Sequence, residues 1–509
     1  TEDATAQSPS HTYTTAGSYT ASLTVSDGTS TDIVTKADYI MVTDPTIDPT
    51  DFEEFIITAS DGADYDYFGS GMAIHGNYAV VGAYGDDDNY ASYSGSAYVF
   101  FWDGSAWTQQ AKLTASDAAS SDYFGQKIDI AGDNIVIGAR NNEAAYVFHR
   151  TGITWTEVQK LTASDGEADD EFGASVTIEG NYLAVGAYGD DDNGSTAGAA
   201  YLFYYNGTTW VEQQKLIAGT ADAFAKYGNS VSMNEGFLAV AAYQEDYTGN
   251  TNGMGAVYIY NNNGSGVWTE NTTLYSDEPD EFNNSFGYAI DMIPGKLAVS
   301  CYKGNGKAYI FSENGTGWTL EDTVVCDSET NIGYGWNIAL SNDYLVVGTQ
   351  EDDDAGSNAG AAFLYNFDGT DWNLAEKIIP ESVTEGNKFG SSVAMDETQF
   401  IIGAMYGDED DGSAYIYTLS APSNWDDQAV VLYDTGEADI EVRTGDVDNL
   451  GFGWPADFDP FTGSSTPSHG FPWTIDPADA PGTDRIMVVS SYVGTAPLGT
   501  DGYTSSTSR

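Results

Sequence analysis

Positive charge is what this sequence has least of: 16 Lys and Arg stand against 78 Asp and Glu, for a formal net charge of −62. A field of that sign repels nucleic acid and anionic lipid, so neither is expected as a partner. Cysteine is nearly absent. Cys301 and Cys326 cannot build a zinc site or a CxxC motif; they form one disulfide or remain two buried thiols. The four histidines, His11, His75, His149 and His469, fall in different repeats or domains, none at useful spacing from a serine or carboxylate. No phosphate loop, metalloprotease motif or nucleophile elbow occurs. The expectation is that the protein is not an enzyme. Paired carboxylates are no counter-signal, because among 78 acids some pair always lies close. No apolar run approaches a membrane span, so direct membrane insertion is not expected. Initiator Met and signal peptide are also missing, and the chain reads as a mature or excised piece of something larger.

What is present is a folded, strand-rich chain. Hydrophobic residues make up 41% and aromatics 13%, too much for a disordered acidic tail. The 57 glycines and 35 tyrosines fit short strands joined by many turns. At 509 residues, two or three domains are expected.

The main signal is an internal repeat. Phe-Gly or Tyr-Gly recurs at Phe68, Phe124, Phe172, Tyr227, Phe286, Tyr334 and Phe389, at spacings of 56, 48, 55, 59, 48 and 55. Each pair opens a strand that alternates around residues such as Val176 and Ile178. A tight turn (Gly76-Asn77, Gly132-Asp133, Gly180-Asn181) leads to an apolar strand ending in small residues such as Gly82-Ala83 and Gly186-Ala187. An acidic loop, an aromatic strand and a Gly turn follow, then a Trp opens the fourth strand (Trp107, Trp155, Trp210, Trp268, Trp318, Trp372, Trp425). Four antiparallel strands repeated radially make a propeller, which protects its strand edges. The Phe is expected to wedge between blades, the Gly to permit close approach, and the Trp to lie half-buried at the outer edge. Phe55-Ile-Ile-Thr-Ala-Ser-Asp-Gly62 copies Leu161-Thr-Ala-Ser-Asp-Gly166, the end of a fourth strand, yet precedes the first repeat. Residues 53–58 are therefore expected to complete the last blade and seal the ring.

At these residues the chain resembles the FG-GAP repeat family, the repeat of integrin α-subunit propellers, in the bacterial surface-protein variant that reads Leu-Thr-Ala-Ser-Asp-Gly, then Phe-Gly, then Val-Gly-Ala-Tyr-Gly-Asp-Asp-Asp. The resemblance covers about residues 55–425 and implies a seven-bladed β-propeller.

The flanks read differently. Residues 10–43 alternate strictly around Tyr19, Ala21, Leu23 and Val25 and resemble the last strands of a PKD domain, an immunoglobulin-like sandwich. Val430-Val-Leu-Tyr, Asp439–Arg443 and Arg485–Ser490 read as strands of a small β-rich domain that looks truncated. The expected division is a partial sandwich over 1–45, a linker over 46–52, the propeller over 53–426 and the β-rich domain over 427–509; the fold class is all-β.

Calcium is the one cofactor the sequence suggests. Acidic runs lie between second and third strands: Asp86-Asp87-Asp88, Asp190-Asp191-Asp192-Asn193, Asp352-Asp353-Asp354 after Glu351, and Asp408-Glu409-Asp410. Calcium takes six to eight oxygen ligands, which such runs can supply in part; solvated loop tips are the other reading. Integrin α-subunits carry their cation loop between the first and second strands. Here that connection is a tight turn (Glu179-Gly180-Asn181), so the family's site does not carry over. Asp446-x-Asp448-Asn449-x-Gly451 resembles half of a calcium loop or a plain Asx turn. The functional expectation is an extracellular or cell-surface binding and adhesion module with a protein or glycan ligand. A filament or sheath subunit that pairs with copies of itself is the alternative, and a polysaccharide-active propeller the third.

Overall fold

The computed structural model describes residues 52–419 apart from 88–90, 220–222, 235, 247–252, 263–265, 278–284, 303–305, 316, 327–332, 398 and 408–410. Outside that span it describes only the backbone of five strands, Gly17–Ser26, Thr31–Val42, Val430–Asp434, Ile440–Arg443 and Met487–Val489. The first two form an antiparallel hairpin with a register shift between Tyr19 and Ala21, and the last three a separate sheet with Val430–Asp434 in the middle. The strands expected in both flanks are present.

Residues Phe52–Leu419 fold as seven four-stranded antiparallel sheets. Blade 1 shows the plan: an inner strand Phe68–His75, a second strand Tyr78–Ala83, a third Ser96–Trp102 and an outer strand Trp107–Leu113. The inner strands of blades 2 to 7 begin at or just after Phe124, Phe172, Tyr227, Phe286, Tyr334 and Phe389. They touch one another in sequence, and the last returns to the first, so the ring is closed. Blade 7 takes its inner three strands from Phe389–Leu419 and its outer strand from Phe52–Ile57, which pairs with Ser413–Leu419. The two ends of the ring thus meet in one sheet, as the copied motif at Phe55–Gly62 indicated. Trp425 lies outside the described residues.

The core is a set of apolar layers between blades. Phe124 sits in the layer shared by blades 1 and 2 with Val80, Val99, Ile128 and Ile137, and is fully buried. Phe68 holds the same place between blades 7 and 1, edge-on to Tyr98 and Phe100 at 5.6 and 6.0 Å. The outer Trp rings are buried rather than half-buried, Trp210 at 5% exposure. Their backbones explain why: Gln159 of blade 2 bonds both the N–H and the C=O of Trp210, and Gln214 does the same to Trp268. The outer strands of blades 2 and 3 are thus latched to the next blade, and Asp322 of blade 5 accepts the Trp372 N–H of blade 6 in the same way at 2.9 Å. Cys301 belongs to the layer between blades 4 and 5, and Cys326 packs against the next layer.

Candidate functional site

In every blade the inner strand starts, the second ends, the third starts and the outer ends at one face of the ring. The acidic loops and the mouth of the central channel therefore share that face. The tight turns at Gly76, Gly132 and Gly180 lie on the other.

The acidic runs turn their first carboxylate inward. Asp190 is 2% exposed; its Oδ2 accepts from the Tyr201 hydroxyl at 2.8 Å and faces Lys215 Nζ at 2.8 Å. Asp86 meets Tyr98 and Lys112 at 2.6 and 2.8 Å, and Asp352 meets Lys377 at 2.6 Å. Asp192 and Asp354 close on the same two lysines at 2.6 and 2.5 Å. Asp87 accepts the Tyr93 N–H and Asp353 the Asn358 N–H, both at 2.7 Å. Asp191 is exposed and Asn193 half-buried. Asp88, Asp408, Asp410, Asp446, Asp448 and Asn449 lie outside the described residues.

The inward carboxylates of these three loops are poorly placed to take a calcium ion, which leaves the outward ones, such as Asp87 and Asp191, as the candidates. The inward oxygens already hold an ammonium group and, in two blades, a phenol; a divalent cation beside that ammonium meets like-charge repulsion. Among the described residues no group of three or more His, Cys, Asp or Glu is arranged to hold a metal. Lysine is the counter-ion the loops carry here.

The Thr-Ala-Ser-Asp motif serves the same clusters. Ser116 bonds both carboxylate oxygens of Glu157 on the next blade's outer strand at 2.8 Å. Asp117 accepts from Lys160 and Tyr146, each at 2.7 Å, and the lysine, then the phenol, hold its carboxyl below the usual range. Ser164 and Asp165 repeat this on Glu212, Tyr201 and Lys215. The motif docks each connection onto the following blade, a role that one copy of the repeat does not reveal.

The channel mouth carries a different chemistry, one that the sequence reading passed over. Three repeat positions converge there: the residue before each Phe/Tyr-Gly, the residue after it, and the residue after the small pair that ends the second strand, joined in blade 7 by Tyr406, one residue further on. Tyr67 stacks on Tyr84 at 4.9 Å and meets Tyr406 edge-on at 5.0 Å. Tyr84 meets Tyr123 at 5.5 Å, and Arg140 lies over Tyr123 and donates to the Tyr188 hydroxyl at 2.8 Å. Lys226 lies over both Tyr188 and Tyr243, at 5.2 and 5.5 Å. Tyr243 meets Tyr288, which packs on Tyr302 and Trp336 at 4.7 and 5.2 Å. Lys388 lies over Tyr406 at 5.2 Å. The collar runs from blade 7 through blade 1 to blade 6 without a break.

Backbone geometry supports it. Tyr67, Tyr123, Glu171, Lys226, Ser285 and Lys388 all hold a left-handed conformation, with φ between 55° and 59°. Each costs about 1–2 kcal/mol for a residue with a Cβ, and only blade 6 relieves the cost with Gly333. Burial, then neighbouring phenols, pushes Tyr84 up to about 12. Burial raises Tyr188 and Tyr288 as well, so these hydroxyls stay protonated, that of Tyr188 donating to Glu171.

Below the collar lies a central cavity of 540 Å³. Its wall is mostly small and polar (Ser175, Thr177, Ser230, Ser232, Asn337, Ser392), with Lys127, Asp129 and Asp291 as its charged members on inner strands. The two aspartates tie blades together: Asp129 accepts the Ile178 N–H at 2.8 Å and Asp291 the Leu340 N–H at 2.7 Å. Burial pushes Asp291 up to about 6. Lys127 projects into the channel, and desolvation, then Arg140, lowers its ammonium.

A family model described as FG-GAP repeat matches residues 52–100, 107–148, 155–203, 210–260, 324–365 and 372–417. The unmatched stretch holds most of blade 5, where Ser300-Cys301 replaces the usual Gly-Ala. No curated protein matches the chain. Among solved structures, the chain is similar to one titled "Crystal Structure of Mitotic Checkpoint Complex", at 12% identity over 72% of this chain and 90% of that one, with a TM-score of 0.46. It is also similar to one titled "Structure of U3-55K", at 9% identity over 72% and 98%, with a TM-score of 0.48.

Proposed function

The chain belongs to the FG-GAP repeat family, and from that premise we propose that it is an extracellular binding and adhesion module whose ligand seats on the channel mouth. One observation carries the reading: the continuous collar of aromatic rings and cations over a polar cavity. Binding sites are concave, with aromatic surface and a few convergent polar groups, and this mouth has both. The collar's recurrent left-handed residues point the same way, because strain kept at one position in blade after blade marks a selected geometry. No helix among the described residues is long and apolar enough to cross a membrane. The acidic surface favours a chain that stays dispersed in a salty medium, and the Gly17–Val42 hairpin suits the end of a PKD-like sandwich in a larger surface protein.

The test uses the full chain on arrays of glycans and extracellular proteins, beside two double variants. Tyr288→Ala with Trp336→Ala removes part of the collar. Val211→Ala with Leu374→Ala changes only exposed positions on outer strands. Loss of binding in the first and retention in the second is the expected result. Equal loss in both, or no loss in either, contradicts the reading.

A further inference from the structure

We propose that the mouth takes an anionic sugar chain, with Lys226, Lys388 and Lys127 meeting its carboxylate or sulfate groups. The inference rests on the binding reading above and adds the chemistry of the ligand.

The distribution of lysine is the first argument. Lys112, Lys160, Lys215, Lys296 and Lys377 each hold a carboxylate at 3.0 Å or closer. In a chain of net charge −62 an ammonium group has carboxylates on every side to choose from. Yet Lys226 and Lys388 lie on aromatic faces and Lys127 lines the channel, none of the three in an ion pair among the described residues. Lys226 and Lys388 occupy the same repeat position, the left-handed residue before Tyr227-Gly228 and Phe389-Gly390. That position aligns them with Tyr67 and Tyr123 on the collar. Three lysines around one mouth without an ion-pair partner among the described residues, while five others each hold a carboxylate, supply that mouth with positive charge beside Asp129 and Asp291. A concave site with low-dielectric walls concentrates such a field.

The second argument selects sugar over peptide. The cavity wall exposes more polar than apolar surface, with hydroxyls and amides from Ser175, Ser230, Thr177 and Asn337 beside apolar side chains such as Ile290 and Met395. The collar offers ring faces and neutral phenols, which suit the flat C–H faces and hydroxyls of a pyranose. The Arg140 guanidinium adds no open charge, because Glu171 already holds it at 2.6 Å. The lysines are therefore the groups that discriminate.

The experiment titrates the full chain with four probes: a galacturonate hexamer, a sulfated dextran oligomer, neutral cellohexaose and poly-glutamate. Variants are Lys226→Met with Lys388→Met, Lys127→Met, and Trp336→Ala, each checked for native far-UV dichroism and melting. The expected outcome is binding of a charged sugar, weakened at least about tenfold by the lysine substitutions, with cellohexaose and poly-glutamate weaker. Equal binding of cellohexaose, or lysine variants that bind like the parent, overturns the anion assignment. Poly-glutamate binding as tightly as the sugars overturns the choice of sugar. If Trp336→Ala abolishes binding of a probe that the lysine variants leave intact, the mouth reading stands and this inference falls. Failure of both charged sugars to bind overturns it outright.

Discussion

Gly82 in the second strand of blade 1 lies directly against the carbonyl of Gly125 in blade 2: a Cβ at Gly82 would stand 1.8 Å from that oxygen. The contact repeats as Gly138 on Gly173, Gly186 on Gly228, Gly348 on Gly390 and Gly403 on Gly69. Blades approach backbone to backbone at these points, so side-chain volume there sets the ring's diameter. Gly82→Ala is expected to lower stability by about 3 kcal/mol through overpacking. Ala241→Gly, at the same position in the looser blade 4, is expected to cost less. Denaturant midpoints decide it, and an unchanged midpoint for Gly82→Ala would contradict the packing.

Lys215 bridges Asp190, Asp192 and Asp165 together, at 2.6 to 3.0 Å. Removing it strands a carboxylate that is 2% exposed. Lys215→Met is expected to cost about 3 kcal/mol, as for other broken buried pairs. Adding Asp190→Asn should recover part of the loss, a non-additivity that a double-mutant cycle measures. Strict additivity would mean the two groups do not interact.

The same lysines bear on metal dependence. Thermal unfolding in calcium and in excess EDTA is expected to give the same midpoint for the ring. A calcium ion at ~100 times its dissociation constant would add about 2.7 kcal/mol. A shift of that size would assign a site to outward carboxylates such as Asp87 and Asp191.

Stability should peak on the acid side of neutrality. Burial pushes Asp66 and Asp291 up to about 6, above their ordinary 3.8. Between those values the folded ring keeps protons that the unfolded chain has released, so stability falls as pH rises through that window. Asp117 acts oppositely: its lowered value contributes stability above 3.8 that is lost as pH falls below it. Melting temperature should therefore rise from pH 7 to a maximum at about pH 4 to 5, then drop. Asp66→Asn should flatten the upper limb. A profile that rises from pH 4 to 7 would contradict the assignment.

Ring closure by Phe52–Ile57 has a direct consequence. A chain starting at residue 58 leaves the third strand of blade 7 unpaired along Ser413–Leu419. An open edge of that kind pairs with other chains. Light scattering should show the shortened chain self-associating where the parent does not; a monodisperse monomer would contradict the closure.

The ring was legible in the sequence because Phe172-Gly, Gly186-Ala and Trp210 recur in register, and a period of that kind leaves one architecture that buries every copy. Phe55–Gly62 revealed the closing strand because it copies a segment whose place was already known. Two features were not legible. The inward turn of Asp86 and Asp190 depends on Lys112 and Lys215, which stand more than twenty residues away on the outer strand. An acidic run therefore looks the same whether it faces water or an ammonium group. The collar was hidden because it draws on several repeat positions whose residue type varies: Tyr84, Arg140, Tyr188 and Tyr243 share one, and Trp336 stands at another. They become neighbours only when seven blades bring one end of their strands to a common axis. Aligning the repeats column by column around Phe-Gly, rather than reading each along the chain, would have placed Lys226 and Lys388 beside Tyr67 and Tyr123.

Hydrogen exchange of the full chain, with and without a ligand retained on the arrays, tests the binding face most directly. Protection is expected in the backbone around Tyr67–Ser70, Tyr123–Lys127, Lys226–Asn229 and Tyr334–Trp336, with the opposite turns at Gly76-Asn77 and Gly180-Asn181 unchanged. Protection confined to those turns or to the outer strands, with the mouth exchanging as in the free chain, would contradict the account.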